Sequence, residues 1–352
     1  MKIYLVLLLI FFSCNNNSYE NDLGEIRKFE FTYEVHLSSS NERVEVWIPI
    51  PQNNEVQIIS NEVFDYKDLY CEKLSESIHG NHYYYCYKDN LKNDVTLSYT
   101  CNVSRYEHGK INYKNLNSDN YDKGTNHITV PEGAMFSDIL LDHNLNPDDI
   151  EAVYKYVLNG MHYGKPKNAN ESDIYYSGSN PKTDMKWLPI NQEYGLKKVS
   201  LDEVVKLYQD SKITGSNYTF AQGNAVYACD IGVGNCTDYH SYFMSLLRTM
   251  DVPARFHMGF NIPNGESGKV GGYHCWADYY VEGQGWFPVD ISEADKAPEK
   301  SEYFFGTINK DRVEFTTGRD LQLKNYDEEV NFFIYPLVKG TVHTKNFRYK
   351  DI

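Results

Sequence analysis

The sequence predicts an α+β protein in which an antiparallel β-sandwich precedes a domain made of a helix packed on an antiparallel sheet. Between residues 25 and 132, apolar and polar side chains alternate as they do in strands with one buried face; the clearest segments are 29–37, 44–50 and 95–103. After Cys236 the apolar residues recur at helical spacing, and residues 271–291 have the pattern of two strands joined by a tight turn. A run of strands followed by a mixed region favours two domains of an α+β protein.

The domain boundaries follow from these patterns. We predict the β-sandwich over residues 25–132 and a second domain over 133–352, which includes further strands near the C-terminus. The sandwich segment contains no titratable cluster, so we expect it to support the second domain or to dock a substrate. In the second domain, helices are predicted from Asn146 to about Gly160 and from Leu201 to about residue 209, and the polar stretch 165–182 is predicted to be a loop.

The first 20 residues have the features of an export signal and a tether. Residues 1–13 contain a basic residue followed by an apolar run of about ten residues, which is too short for a good membrane span. Ser13-Cys14 followed by a polar stretch resembles a bacterial lipobox, which implies cleavage before Cys14 and a lipid on that cysteine. An ordinary signal peptide cleaved a few residues later is the alternative. Both alternatives imply secretion, and with the lipid on Cys14 we expect a lipid-anchored protein of the bacterial cell envelope.

Composition limits the classes of partner. The net charge is −15, from 49 acidic and 34 basic residues, and no basic cluster stands out, so nucleic acid is disfavoured as a partner. The 31 tyrosines could form a surface that binds sugars or peptides, although half-buried strand positions explain them as well. The sequence therefore leaves open a non-catalytic envelope protein that binds peptide or glycan.

Cys236 lies where a helix is predicted to begin. Asn235 is a good N-cap, Asp238 occupies the third helical position, and Val252-Pro253 ends the helix. At a helix N-terminus the backbone N–H groups and the positive end of the dipole favour thiolate over thiol, and the same groups can bind an oxyanion. A small buried cysteine is the alternative interpretation. A histidine and an aspartate follow at spacings that suit a catalytic triad, which favours the interpretation of Cys236 as a reactive nucleophile.

These motifs together resemble the transglutaminase-like superfamily of papain-type thiol enzymes. The resemblance covers roughly residues 150–321, and the residues that carry it are Gly-x-Cys at the helix start, Val252-Pro253-Ala254-Arg255, His274-x-Trp276, Gly285-Trp286-x-x-Val289-Asp290 and two later segments, 303–306 and 312–320. The resemblance implies a papain-like transglutaminase core. It also implies that Cys236 is the nucleophile, His274 the general base and acid, and Asp290 the group that orients the imidazole.

The implied chemistry is attack on a protein or peptide amide, which forms a thioester. Water then completes the reaction as hydrolysis, or an amine completes it as cross-linking. No cofactor is implied.

The triad also constrains the hairpin, because a four-residue turn would place Asp290 on the opposite face of the sheet from His274. We therefore predict a three- or five-residue turn, or an equivalent bulge, which makes the two residues diagonal neighbours. If His274 and Asp290 lie apart, Asp278, which shares a strand face with His274, is the candidate to replace Asp290 in the triad.

The remaining cysteines allow several arrangements. Cys71 and Cys86 could form a disulfide, and Cys101, Cys229 and Cys275 are candidates for burial. Cys275 follows His274 in a strand, so its side chain is predicted to point to the opposite face. A zinc site is the rival hypothesis for four residues: Cys229, Cys236, His274 and Cys275. The absence of C-x-x-C pairs argues against it, and we predict no metal.

Overall fold

The computed structural model of the protein describes residues 20–114, 116–127, 135–164, 188 and 192–352. Its first part contains six strands, which are β1 (Leu23–Leu37), β2 (Ser40–Pro49), β3 (Gln57–Asp65), β4 (Tyr70–Ser75), β5 (His82–Leu91) and β6 (Val95–His108). Buried and solvent-facing residues alternate in β1 and β6, as predicted, whereas residues 46–50 are all buried and do not show the predicted alternation. The strands pair antiparallel in two sheets whose apolar faces share one core. A disulfide joins Cys71 and Cys86 on neighbouring strands, which confirms the pairing considered from the sequence.

Three strands from later in the chain complete these two sheets. They are β10 (Ser267–Lys269), β14 (Leu337–Lys339) and β15 (His343–Asp351). The first sheet has the order β10-β15-β1-β6-β3, and the second has the order β14-β2-β5-β4. We predicted that the C-terminal strands belong to the second domain, but β15 pairs with β1 from Leu37 to Phe29. The pairing covers the edge of β1, whose backbone groups would otherwise lack partners.

The second part is built on a four-stranded antiparallel sheet with the order β12-β11-β9-β13; its strands are β9 (Ala254–Asn261), β11 (His274–Val281), β12 (Gly285–Val289) and β13 (Arg312–Thr317). Two short strands, β7 (His162–Tyr163) and β8 (Val233–Gly234), form a separate parallel pair. The helices are α1 (Met135–Asp142), α2 (Ile150–Gly160), α3 (Leu201–Thr214), α4 (Ala225–Ile231), α5 (Cys236–Thr249), α6 (Ile291–Lys296) and α7 (Ser301–Phe304), and 3-10 turns occupy Ser118–Asn120 and Pro298–Lys300.

Helix α5 is the central element of this part. Every residue from Cys236 to Arg248 is buried, because α5 packs on the sheet with one side and against α2, α4 and α6 with the others. The predicted helices α2 and α3 are present, with α3 ending later than expected, at Gly215 in the left-handed conformation. The predicted loop 165–182 lies outside the described residues. Within the described part of the chain, none of the helices has the length and apolar character needed to cross a bilayer.

Candidate active site

The site begins at the first turn of α5. The Asn235 side chain accepts a hydrogen bond from the Thr237 N–H (2.9 Å), and the Asp238 side chain accepts one from the Asn235 N–H (3.0 Å). This reciprocal capping box fixes the start of the helix at Cys236, as the sequence predicted. The Asp238 carboxylate also accepts hydrogen bonds from the Ala221 and Gly223 N–H groups (2.8 and 2.9 Å), which joins the preceding loop to the cap. The Cys236 sulfur is therefore held at a defined helix N-terminus.

The hairpin that follows has an odd-numbered turn. Val281 pairs with Gly285, which leaves the three residues 282–284 in the turn, and the register continues to Ala277 paired with Val289. Gly285 has a φ of 111°, and a Cβ there would lie 2.8 Å from the Ile111 carbonyl oxygen. One further step of the register brings Asp290 opposite Trp276, next to His274. The predicted three-residue turn is thus confirmed.

His274 and Asp290 meet at the ends of the two strands. The distance between His274 Nε2 and Asp290 Oδ2 is 2.6 Å, and both side chains are buried. Asp290 also caps α6, because its Oδ1 accepts hydrogen bonds from the Glu293 N–H (3.0 Å) and the Ser292 hydroxyl (2.9 Å). Arg312 lies 2.7 Å from Oδ2. Burial raises the pKa of Asp290, but the charges of His274 and Arg312 outweigh it and hold the pKa well below its ordinary value.

Asp278, the replacement candidate, has other partners. Its Oδ2 lies 2.5 Å from an Arg255 nitrogen and 3.0 Å from His257 Nε2, and His257 Nδ1 in turn contacts Glu314 (2.9 Å). These groups form a separate buried ion-pair cluster on the sheet face that carries His274. Asp278 therefore has other partners, and Asp290 is the aspartate in contact with His274.

Cys236 and His274 each shift the pKa of the other toward its charged form, which is the thiolate for Cys236 and the imidazolium for His274. Burial alone would raise the pKa of the Cys236 thiol, but hydrogen bonds with Cys275 and His274 and the positive charges of His274 and Lys296 bring it well below its usual value. Burial lowers the pKa of His274, whereas the charge and hydrogen bond of Asp290 and the contact with Cys236 raise it to about 9. Because Asp290 hydrogen-bonds to Nε2 of His274, Nδ1 is the ring nitrogen available to the Cys236 sulfur. The arrangement stabilises a thiolate beside an imidazolium.

The roles of two residues near Cys236 were missed from the sequence. His240 Nδ1 donates to the Cys236 carbonyl (2.7 Å), while its Nε2 accepts from the Ile291 N–H (3.2 Å), so a neutral imidazole ties α5 to the segment that carries Asp290. Burial lowers the pKa of His240 to about 4, which keeps it neutral. Its position one helical turn after Cys236 was the available signal. The second residue is Cys275, which is buried as predicted and lies 3.8 Å from the Thr237 hydroxyl and from His240 Nδ1, against the first turn of α5.

A lysine adds positive charge near the thiolate. Lys296 Nζ lies 2.8 Å from a Glu293 carboxylate oxygen and 3.9 Å from the centre of the Tyr163 ring. Glu293 in turn lies 4.0 Å from His274 Nε2. The pair contributes little net charge, but Lys296 is the partner on the side of Cys236, and its charge lowers the pKa of that thiol.

The rival zinc hypothesis finds no support in the geometry. In the described ranges, the residues whose ligand atoms lie close enough together to share an ion are His127, Asp320 and Glu329, and none of the four proposed zinc ligands is among them. Cys229 lies on α4, where its thiol interacts with the Tyr242 hydroxyl, and burial raises its pKa to about 11.

Comparison with known proteins gives the class of this region. Residues 191–291 match the family model of the transglutaminase-like superfamily, and this segment contains Cys236, His274 and Asp290. The resemblance inferred from the motifs is confirmed for this segment of the chain.

Individual relatives cover different parts of the chain. An uncharacterized protein from Haemophilus influenzae is 30% identical over 155 residues, an alignment that spans 33% of this chain and 42% of that protein. A solved structure of a candidate cysteine protease from Cytophaga hutchinsonii superposes over 95% of this chain and 93% of that one, with a TM-score of 0.56 and 12% identity, which shows a common fold. The periplasmic domain of TgpA from Pseudomonas aeruginosa aligns with a TM-score of 0.31 and 12% identity over 78% of this chain and 93% of that one.

Proposed function

We propose that this protein is a cell-envelope thiol enzyme that attacks protein or peptide amides through Cys236, His274 and Asp290. The observation that carries the proposal is the 2.6 Å contact between His274 and Asp290 beside a cysteine at the N-terminus of α5. The transglutaminase-like domain and the fold shared with a candidate cysteine protease support it. Enzymes of the transglutaminase-like kind act on proteins, which favours a protein or peptide substrate.

The proposed reaction starts from the Cys236 thiolate and the His274 imidazolium, the charged forms that the site stabilises. The Cys236 thiolate attacks the amide carbon, and a tetrahedral oxyanion forms. His274 then protonates the departing amine, and a thioester to Cys236 remains. Water or a second amine, deprotonated by His274, attacks the thioester and releases the acid or a new amide. Asp290 holds the imidazole in place and stabilises its charged form.

We assign the hydrogen-bond donor for the oxyanion by elimination among the backbone N–H groups in the first turn of α5. The Thr237 N–H donates to the Asn235 side chain (2.9 Å), and the Asp238 N–H donates to the Asn235 carbonyl (3.1 Å). Both groups serve the capping box, so we assign the Cys236 N–H to the oxyanion. This N–H belongs to the nucleophile itself and lies at the positive end of the helix dipole.

Product analysis tests this proposal. The full chain, solubilised in detergent, is incubated with a mixed peptide library with and without an added primary amine, and mass spectrometry identifies the products. We expect hydrolysed peptides, amine-linked peptides or both from the native protein and from Cys229→Ala, and neither from Cys236→Ala. A library left unchanged by the native protein under all conditions contradicts the proposal and favours a non-catalytic binding protein.

The attachment to the membrane is a separate part of the proposal. We propose that Cys14, which lies outside the described residues, carries the lipid and that residues 1–13 are removed. The short apolar run before Ser13-Cys14 supports it. Mass spectrometry of the membrane-extracted protein should find an acylated N-terminal Cys14. An unprocessed, unmodified N-terminus contradicts this assignment without affecting the proposed chemistry.

A further inference from the structure

A second thiol lies beside Cys236. Cys275 is fully buried on β11 and faces α5, where its sulfur lies 3.8 Å from the Thr237 hydroxyl and 3.8 Å from His240 Nδ1. His240 Nδ1 is in turn 2.7 Å from the Cys236 carbonyl oxygen. Interaction between the two thiols contributes to the pKa shifts of both Cys236 and Cys275. Cys275 is therefore held against the first turn of α5, which begins with Cys236.

The other described cysteines are placed differently. Cys71 and Cys86 are joined in a disulfide. Cys101 and Cys229 interact with the hydroxyl groups of Tyr99 and Tyr242. Among the described free cysteines, Cys275 is the one whose sulfur lies against the first turn of α5, next to Cys236.

We propose that Cys275 is a resolving thiol, which forms a reversible disulfide with Cys236 after a hydroperoxide has oxidised that residue. The inference deepens the proposed function, on which it rests only for the reactivity of Cys236. The disulfide would remove the nucleophile from the amide reaction. It would also protect Cys236 from irreversible oxidation to the sulfinic and sulfonic acids.

The chemistry balances in two steps. The Cys236 thiolate attacks the outer oxygen of the hydroperoxide, the O–O bond breaks, and the alcohol or water leaves with a proton, which gives a sulfenic acid. The Cys275 sulfur then attacks the Cys236 sulfur, the S–S bond forms and the S–O bond breaks. The hydroxide that leaves takes up the Cys275 proton and departs as water. The two sulfurs together lose two electrons, which the peroxide oxygens accept.

The electrostatics of the site couple the two steps. Burial, and then the hydrogen bond and negative charge of Cys236, raise the pKa of Cys275 well above its usual value, so Cys275 stays protonated beside the resting thiolate. A sulfenic acid is neutral, and its formation removes the charge that holds the proton on Cys275. The resolving thiol thus becomes more acidic only after the first step, when its deprotonation is needed.

Peptide mapping after mild oxidation tests the inference. The detergent-solubilised full chain is treated with a small excess of hydrogen peroxide, blocked with an alkylating agent and digested with trypsin, which cleaves between the two cysteines at Arg248, Arg255 and Lys269. We expect a linked pair of peptides containing Cys236 and Cys275, lighter by two hydrogen atoms and separated by a thiol reductant. Cys275→Ser keeps a hydrogen-bond donor, and should instead accumulate sulfinic and sulfonic acid at Cys236. Cys229→Ser should form the linked pair as the native chain does.

Two results would overturn the inference. The first is sulfinic and sulfonic acid at Cys236 of the native chain, at the rate seen in Cys275→Ser and without the linked pair. The second is a Cys236 that peroxide leaves unmodified. Alkylation of the same sample separates the two proposals, because a Cys236 that is alkylated but forms no disulfide contradicts the resolving role alone. A Cys236 that neither reagent modifies contradicts the proposed function as well. The native chain alone gives a decisive result if Cys275→Ser does not fold.

Discussion

At the scale of single residues, Asp290 connects three parts of the site. It binds His274 (2.6 Å), lies 2.7 Å from Arg312 and caps α6 through the Glu293 N–H (3.0 Å). Cys236, His274 and Asp290 were all named from the sequence, because each belongs to a local motif. The contacts of His240 and Cys275 were not, because alternation tells which face a side chain occupies but not what packs on that face.

Replacing Asp290 should therefore affect both stability and chemistry. We expect Asp290→Asn to lower kcat/KM by about 100-fold to 10,000-fold, because the imidazolium loses its anionic partner. It should also lower the free energy of unfolding by about 3–5 kcal/mol, because Arg312 is left buried without its counter-charge. Peptide turnover and urea unfolding measure the two effects.

Asp278→Asn is the matched control for that variant. It removes an equally buried carboxylate from Arg255 and His257, and should cost similar stability while leaving the alkylation rate of Cys236 near that of the native chain. Equal losses of turnover in the two variants, each still folded, would mean that Asp290 acts on the fold alone.

At the scale of elements, two local devices place the reacting groups. The capping box of Asn235 and Asp238 sets the start of α5, and the three-residue turn sets the register that brings Asp290 beside His274. The cap could be predicted because its residues are a local property of the sequence, and the odd turn could be predicted because the triad implied by the resemblance requires that register. The full burial of α5 could not, because it depends on which elements surround the helix.

Removing the N-cap of α5 should weaken both the helix and the thiolate. Asn235→Ala is expected to cost about 1 kcal/mol of stability and to raise the pKa of the Cys236 thiol, since the cap that orders its first turn is lost. Ser200→Ala removes the N-cap of α3, which has its own capping box with Glu203, and should cost similar stability with no change at Cys236. Iodoacetamide labelling against pH compares them. A shift of the same size in both variants would argue against a role for the α5 cap.

Gly285 should be less tolerant of a side chain than another glycine in a similar conformation. A Cβ at Gly285 would lie 2.8 Å from the Ile111 carbonyl, whereas a Cβ at Gly306 would meet nothing within 4 Å, and the two residues have φ angles of 111° and 104°. Backbone strain of about 1–3 kcal/mol is common to both Ala variants. We expect Gly285→Ala to lose more stability than Gly306→Ala in urea unfolding, and also to lose turnover because the hairpin register is disturbed. Equal losses would contradict this account of the turn.

At the scale of the whole molecule, the C-terminal strand joins the two parts. Phe347 on β15 packs on Phe260 of β9 at 4.5 Å and on Tyr33 of β1 at 4.7 Å between ring centres. The alternating pattern predicted strands near the C-terminus, but not that one of them pairs with a segment some 300 residues earlier. That partner is set by non-local packing, for which a single sequence carries no periodic signal.

Phe347→Ala should consequently destabilise the whole protein. We expect a loss of about 3–5 kcal/mol, as for other buried aromatic side chains, and one unfolding transition rather than two because the core is continuous. Val342→Ala, at a position 73% exposed, should change stability by less than about 0.5 kcal/mol. Tryptophan fluorescence during urea unfolding reports both. Separate transitions for the sandwich and the second part would contradict a shared core.

The central claim is that Cys236 and His274 form a thiolate–imidazolium pair, and the pH dependence of Cys236 alkylation tests it most directly. The lowered pKa of Cys236 keeps the thiolate present at pH values where an ordinary cysteine is protonated, and the imidazolium is lost as the pH rises through about 9. We predict fast iodoacetamide labelling at about pH 6, where an ordinary cysteine is almost fully protonated, and a fall of at least about tenfold at that pH in His274→Ala. Labelling of the native Cys236 that rises only near the pKa of a free cysteine, and that His274→Ala leaves unchanged, would contradict the account.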